Sequence, residues 1–275
     1  MEILSLVPDI TFGFFIGIAI GMTGIGGGAL IQPALIHILG IAPVPAVGTG
    51  LLYAMLTKTW GTLSHYRLKT IRVRRAFYFL VGSVPSVLVA SSIVNYSFQS
   101  FNSPRVNANI QITMAITLLI SAAVLLFRAV PSNAKSADVG AERTYLEGDR
   151  SPLPPSKKTI AVVAGVLIGA LIGATSIGGG VLIIPVLMLF LDANPNQAVG
   201  TSIAISVVLS ALGGIMYLLN GNVVVLTMAL MALGAFPGVL IGSRLTVKLP
   251  ETVLKILVIV MVAGSGISLL FGIGH

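Results

Sequence analysis

Apolar residues fall in ten stretches separated by polar or Gly/Pro-rich breaks. These are 5–22, 29–40, 45–62, 76–94 and 110–127 in the first half, and 159–175, 180–191, 198–218, 223–243 and 251–271 in the second. Eight of them have, or nearly have, the length of a membrane helix of about 20 residues. The segments 29–40 and 180–191 do not: twelve residues rise only roughly 18 Å, against a hydrocarbon core of about 30 Å. Each is expected to return as the second arm of a hairpin, or to make a shortened crossing where the bilayer is thin. Between the halves, 128–158 carries Pro131, Pro152, Pro154, Pro155 and half of the acidic residues, and reads as a linker outside the membrane. The pattern predicts an all-α integral membrane protein. Residues 1–127 form a first membrane repeat, 128–158 a cytoplasmic linker and 159–275 a second membrane repeat.

The division into repeats rests on self-similarity. Shifted by 152 residues, Gly21-Met22-Thr23-Gly24-Ile25-Gly26-Gly27-Gly28 faces Gly173-Ala174-Thr175-Ser176-Ile177-Gly178-Gly179-Gly180. The match runs on through Leu30-Ile31 and Leu182-Ile183 to Pro33 and Pro185, and resumes at Pro43 and Pro195. Ala46-Val47-Gly48-Thr49 then matches Ala198-Val199-Gly200-Thr201, and 20 of the 37 positions from Gly13 to Thr49 are identical. Small residues recur in membrane helices for packing alone, but packing does not account for a shared T-x-I-G-G-G followed at a fixed distance by Pro. With five segments per half, the second repeat sits upside down relative to the first. Inverted repeats with short, Gly/Pro-interrupted segments at matching positions are a mark of secondary transporters, whose site lies near the midplane.

Charge sets the orientation. Arg67, Lys69, Arg72, Arg74 and Arg75 follow the third segment without an acid among them; the linker and the 244–255 region hold nine more basic residues. Placing all of these in the cytoplasm leaves Arg105 alone outside and Lys58 in the membrane, as the positive-inside rule requires. Both termini are then expected to be periplasmic. The first residues lack a basic n-region and no A-x-A-like site follows, so the first apolar run is expected to stay as a membrane helix.

Composition narrows the function. The chain is 56% apolar and 9% charged, with a mean hydropathy of +1.02; soluble domains carry about 25% charged residues. Soluble enzymes, disulfide scaffolds and nucleic-acid partners are poor fits. The chain has no cysteine, so disulfides and thiolate chemistry are excluded. No carboxylate occupies a membrane centre, which argues against a cation pump, and the glycine triplets lack the Lys-Ser/Thr ending of a phosphate-binding P-loop. No hydrolytic arrangement is present. The reading is a membrane transporter without a catalytic site, metal or cofactor.

Candidate binding residues cluster at the breaks. Gly26, Gly27, Gly28 and Gly178, Gly179, Gly180 can present free backbone N–H groups toward an anion at the start of a short helix, or simply form tight turns. Thr23, Thr175 and Ser176 add hydroxyls there, which can instead bond back to the backbone. Thr49, Thr201 and Ser202, early in the next long segments, are donors to a ligand or else caps and interhelical bonds. Gln32 faces the same way as Gly28, while its repeat mate is Ile184; this suits a substrate with distinct ends, or a bridge between helices. Lys58 is the one charge well inside an apolar run and either faces a cavity or snorkels outward. Lys58 and His65 are candidates for anion attraction or gating. His37 and His65 are the histidines able to carry a coupled proton, though neither lies in a carboxylate relay.

At these residues the chain resembles the sulfite exporter TauE/SafE family. The motifs are Gly21 to Gly28 with Pro33 and Val47-Gly48-Thr49, and Ile177 to Gly180 with Pro185 and Ala198 to Ser202. The resemblance covers most of the membrane portion but not the linker. It implies a bacterial inner-membrane protein exporting sulfite or a small organosulfonate, with 23–28, 175–180, Thr49 and Thr201 as the substrate region. The expected partners are a small anion and the lipid bilayer. Protons as coupling ion and a homodimer are compatible with the sequence, which fixes neither. An anion channel and a non-transporting scaffold are the alternatives.

Overall fold

A computed structural model of the protein describes residues 7–23, 28–67, 69–101, 104–129, 154–246 and 251–271. Proline opens several helices because its missing N–H is not needed in the first turn. The helices α1 (Val7–Thr23), α2 (Gly28–Pro33), α3 (Pro43–Arg67), α4 (Val73–Phe101) and α5 (Pro104–Ala129) make up the first half. The second half has α6 (Pro155–Thr175), α7 (Ile183–Phe190), α8 (Pro195–Leu219), α9 (Val225–Thr246) and α10 (Glu251–Phe271). After α2 the chain continues as a π-helical turn, Ala34–Ile38. Most of the expected linker lies outside the described residues.

Both expected short segments are short helices, at Gly28–Ile38 in two pieces and at Ile183–Phe190. The long ones are less uniform than the apolar runs suggest. Among the described residues five are long and apolar enough on their own to cross a membrane: Val73–Phe101, Pro104–Leu126, Pro155–Thr175, Gln197–Leu219 and Val225–Leu245. Val7–Met22 and Ile256–Phe271 are shorter apolar helices. Helix α3 has length enough, about 37 Å, but carries Thr49, Thr57, Lys58, Thr59 and Thr62. It can afford them because Val44, Ala46, Val47 and Leu51 to Ala54 are buried, so protein rather than lipid surrounds its first half. Phe15, Phe77, Val89, Ile93, Leu167, Leu233 and Phe236 instead face outward, as lipid contact demands.

Secondary structure repeats with the sequence. Helices α3 and α8 begin and end 152 residues apart, α1 and α6 end 152 apart, and α4 and α9 begin 152 apart. The halves interlock rather than sit side by side: the most extensive packing joins α1 to α9, α4 to α6, α3 to α8 and α5 to α10. Glycines set the first two. Gly13, Gly17 and Gly21 press against the backbone of Met231, Ala235 and Val239; Gly165, Gly169 and Gly173 press against Phe79, Ser83 and Val87. The residues of one set lie 152 positions from those of the other, and in both the two helices run parallel. Helices α3 and α8 run antiparallel, since Gly48 meets Tyr217 and Asn222 while Gly61 meets Ile203 and Gly200 meets His65.

Candidate functional site

The described end of the first Gly-rich break, Gly28, meets the second break at Ser176. Gly28, the first residue of α2, lies so close to the Ser176 carbonyl that a Cβ there would overlap it. Ser176 ends α6 in the left-handed conformation (φ 63°), with its N–H donating to the Ile172 carbonyl at 2.8 Å. Gly178 follows at φ 119°, a conformation that glycine alone adopts without strain. Gly24 to Gly27, and with them Gly26 and Gly27 of the candidate set, lie outside the described residues. Thr23 is the last residue of α1 and its side chain is likewise outside the description.

Around this junction, Gln32 is fully buried and its Nε2 donates to the Ala46 carbonyl at 3.3 Å. Gln32 Oε1 and Ser176 Oγ are buried without a partner, and both side chains crowd Gly50 of α3. Gly179 faces the second cluster. A Cβ there would stand 2.8 Å from Lys58 Nζ and 2.7 Å from Ser206 Oγ, and Ser206 Oγ donates to the Gly179 carbonyl. Gly180 is buried beside it. The Lys58 ammonium therefore reaches inward to the second break rather than outward. Among the described residues the one salt bridge joins Lys157 to Asp192, leaving Lys58 without a carboxylate.

The hydroxyls divide into committed and uncommitted ones. Thr175 Oγ1 donates to Leu171 at 2.6 Å and accepts from Ile177 N at 3.2 Å. Ser202 Oγ donates to Val199 at 2.9 Å. Thr49 Oγ1 donates to Pro45 at 2.8 Å and accepts from Val224 N at 3.0 Å, just before α9. Its repeat mate Thr201 accepts from Arg72 N at 2.9 Å, just before α4. Both threonines thus act here as interhelical bonds from one half to the start of a helix in the other. Thr49→Val and Thr201→Val are each expected to lower stability by about 1 kcal/mol. Thermal unfolding in detergent checks this, and a loss in only one variant would break the equivalence.

His65 lies at the far end of α3, its Nδ1 2.9 Å from Thr70 Oγ1 and its side chain beside Gly200. It is part of the seam between α3 and α8 and does not join the central cluster. Near that seam Arg75 donates to Gln197 Oε1 at 3.4 Å.

Sequence reasoning passed over Ser206. It stands four residues after Ser202 and four before Ser210, the repeat mate of Lys58, so a polar stripe on α8 was present to be read.

The pattern of the family described as "Sulfite exporter TauE/SafE" matches residues 10–269. The chain belongs to the TauE/SafE family. Probable membrane transporter protein YjnA of Bacillus subtilis is 33% identical over 96% of this chain and 99% of its own length. Probable membrane transporter proteins YunE and YdhB of the same organism are 26% and 28% identical, each over 94% of this chain and over 95% and 97% of their own lengths. No solved structure matches the chain. As a TauE/SafE protein it is a multi-pass membrane transporter of small anions and not an enzyme.

Proposed function

We propose that this TauE/SafE protein exports a small sulfur oxyanion, sulfite or a small organosulfonate, across the bacterial inner membrane by alternating access. Residues 1–127 and 159–275 act as two repeats of opposite orientation joined by a cytoplasmic linker at 128–158, and substrate binds where the breaks at 23–28 and 175–180 meet. The observation that carries this reading is the Lys58 ammonium at Gly179 inside the bundle, without a carboxylate partner among the described residues. A half-buried cation so placed is suited to receive an anion.

The inverted arrangement is favoured by three packing relations. Helices α3 and α8 are antiparallel repeat mates, the α1–α9 pair repeats as α6–α4, and the Thr49 bond repeats at Thr201. A two-fold relation that reverses a helix against its own mate has its axis in the membrane plane, the geometry of inverted-repeat carriers. Arg72, Arg74 and Arg75 at the start of α4 then mark the cytoplasmic mouth and raise the local anion concentration there. Export of an anion is assisted by the inside-negative potential, about 2.3 kcal/mol per charge per 100 mV, so proton coupling is not required.

Purified protein in liposomes is expected to give saturable sulfite flux, with the initial rate falling as ionic strength rises. Fast conductance that does not saturate would favour a channel. No flux of any sulfur oxyanion would favour a scaffold and end the transport reading.

A further inference from the structure

The junction of the breaks holds two polar atoms that the fold leaves unsatisfied. Gln32 is 0% exposed and Ser176 5%. The Ala46 carbonyl accepts a hydrogen bond from the Gln32 amide, which fixes the nitrogen on that side and the oxygen on the other. That oxygen, Oε1, and Ser176 Oγ both lack partners. The two side chains come from opposite halves of the chain and both reach Gly50, Gln32 through its amide nitrogen and Ser176 through its hydroxyl; the second repeat has Ser202 in place of this glycine. A buried polar atom left unpaired costs about 1–3 kcal/mol, and such atoms are rare enough in folded proteins to need a cause. Packing does not supply one here: the repeat mate of Gln32 is Ile184, which shows that an apolar residue is accommodated at the equivalent place.

An amide oxygen only accepts hydrogen bonds. A fully ionised oxyanion offers only acceptors and would be repelled by it, whereas an O–H or N–H group would satisfy it. The anionic end of a substrate has its counterpart elsewhere, at Lys58. Along α3, Gly50 and Lys58 are separated by eight residues, a rise of about 12 Å, part of which the lysine side chain spans. The two breaks thus carry polar groups of opposite character, an acceptor at Gln32 and a cation at Lys58. Resting on the transport reading above, we propose that Gln32 Oε1 selects substrates carrying a hydrogen-bond donor at the end opposite the sulfonate. The class is the hydroxy- or aminoalkanesulfonates, preferred over unsubstituted alkanesulfonates of the same charge and length.

The test compares uptake of 2-hydroxyethanesulfonate and ethanesulfonate by the full-length protein in liposomes, with sulfite alongside. The two sulfonates differ by one hydroxyl. The hydroxylated anion is expected to be taken up at low concentration about tenfold faster, the effect of one satisfied buried acceptor. Gln32→Met, close in shape and without the oxygen, is expected to bring that ratio near one. Equal uptake of the two sulfonates by the unaltered protein would overturn the proposal, whatever the variant does. So would a preference that survives Gln32→Met. Uptake of sulfite with neither sulfonate would overturn it while leaving the transport reading standing, and uptake of none of the three would overturn both.

Discussion

Lys58→Met is expected to lower sulfite flux into liposomes by about 10- to 150-fold, the equivalent of losing one hydrogen bond to a charged group. Methionine keeps the length and apolar stem of the lysine and removes only the ammonium, so packing along α3 is largely preserved. The ammonium touches Gly179 and makes no salt bridge among the described residues. Its role is therefore not to balance a carboxylate of the fold. A lysine that only snorkelled toward water would leave flux unchanged on this replacement. Repeat geometry sharpens the test. Ser210 is the mate of Lys58, so in the proposed inverted arrangement a lysine at 210 approaches the first break as Lys58 approaches the second. Adding Ser210→Lys to Lys58→Met is expected to restore part of the flux. Full flux in the single variant would remove Lys58 from the site, and failure of the second lysine would count against the equivalence of the two breaks.

Much of this arrangement was legible in the sequence, and what was not legible has a physical reason. The apolar runs located the helices to within several residues, α3 running five residues past its run of 45–62 to Arg67, and the 152-residue shift paired α3 with α8. Helix α3 was harder. Its polar residues place it below the other long helices in apolar character, and only its burial by neighbouring helices explains why that is tolerated. Thr49 and Thr201 were visible as a repeated pair, yet their partners, Val224 N and Arg72 N, lie 175 and 129 residues away in the other half. No local pattern carries such a contact. The direction of Lys58 was open for the same reason: snorkelling and inward contact use the same residue at the same depth, and only the position of Gly179 distinguishes them.

The glycine seams are where a single added methyl group should cost most. A Cβ on Gly17 would lie 2.5 Å from the Ala235 carbonyl oxygen and 2.7 Å from its Cα, both backbone atoms that no rotamer change can move aside. Two effects then compete in Gly17→Ala. Alanine favours the helix by up to about 1 kcal/mol over glycine. Overpacking a close contact costs about 1–3 kcal/mol, and more for valine, whose branches add to the overlap. The second effect wins, because in lipid the close approach of small residues is itself the force joining α1 to α9. Gly17→Val is expected to abolish or severely lower the yield of folded protein, and Gly17→Ala to lower its thermal midpoint in detergent. Gly264→Ala on α10 supplies the contrast. A Cβ there meets nothing within 4 Å, so only the helix preference remains and the midpoint should hold or rise. If Gly17→Ala and Gly264→Ala shift the midpoint alike, the seam does not hold the two halves together. Gly169, the mate of Gly17 on α6, would meet the Ser83 carbonyl at 2.6 Å, and its alanine variant should lose stability with the same sign. Ser86 Oγ is also in its way but can turn aside, which leaves backbone overlaps like those at Gly17, so the two losses should be similar.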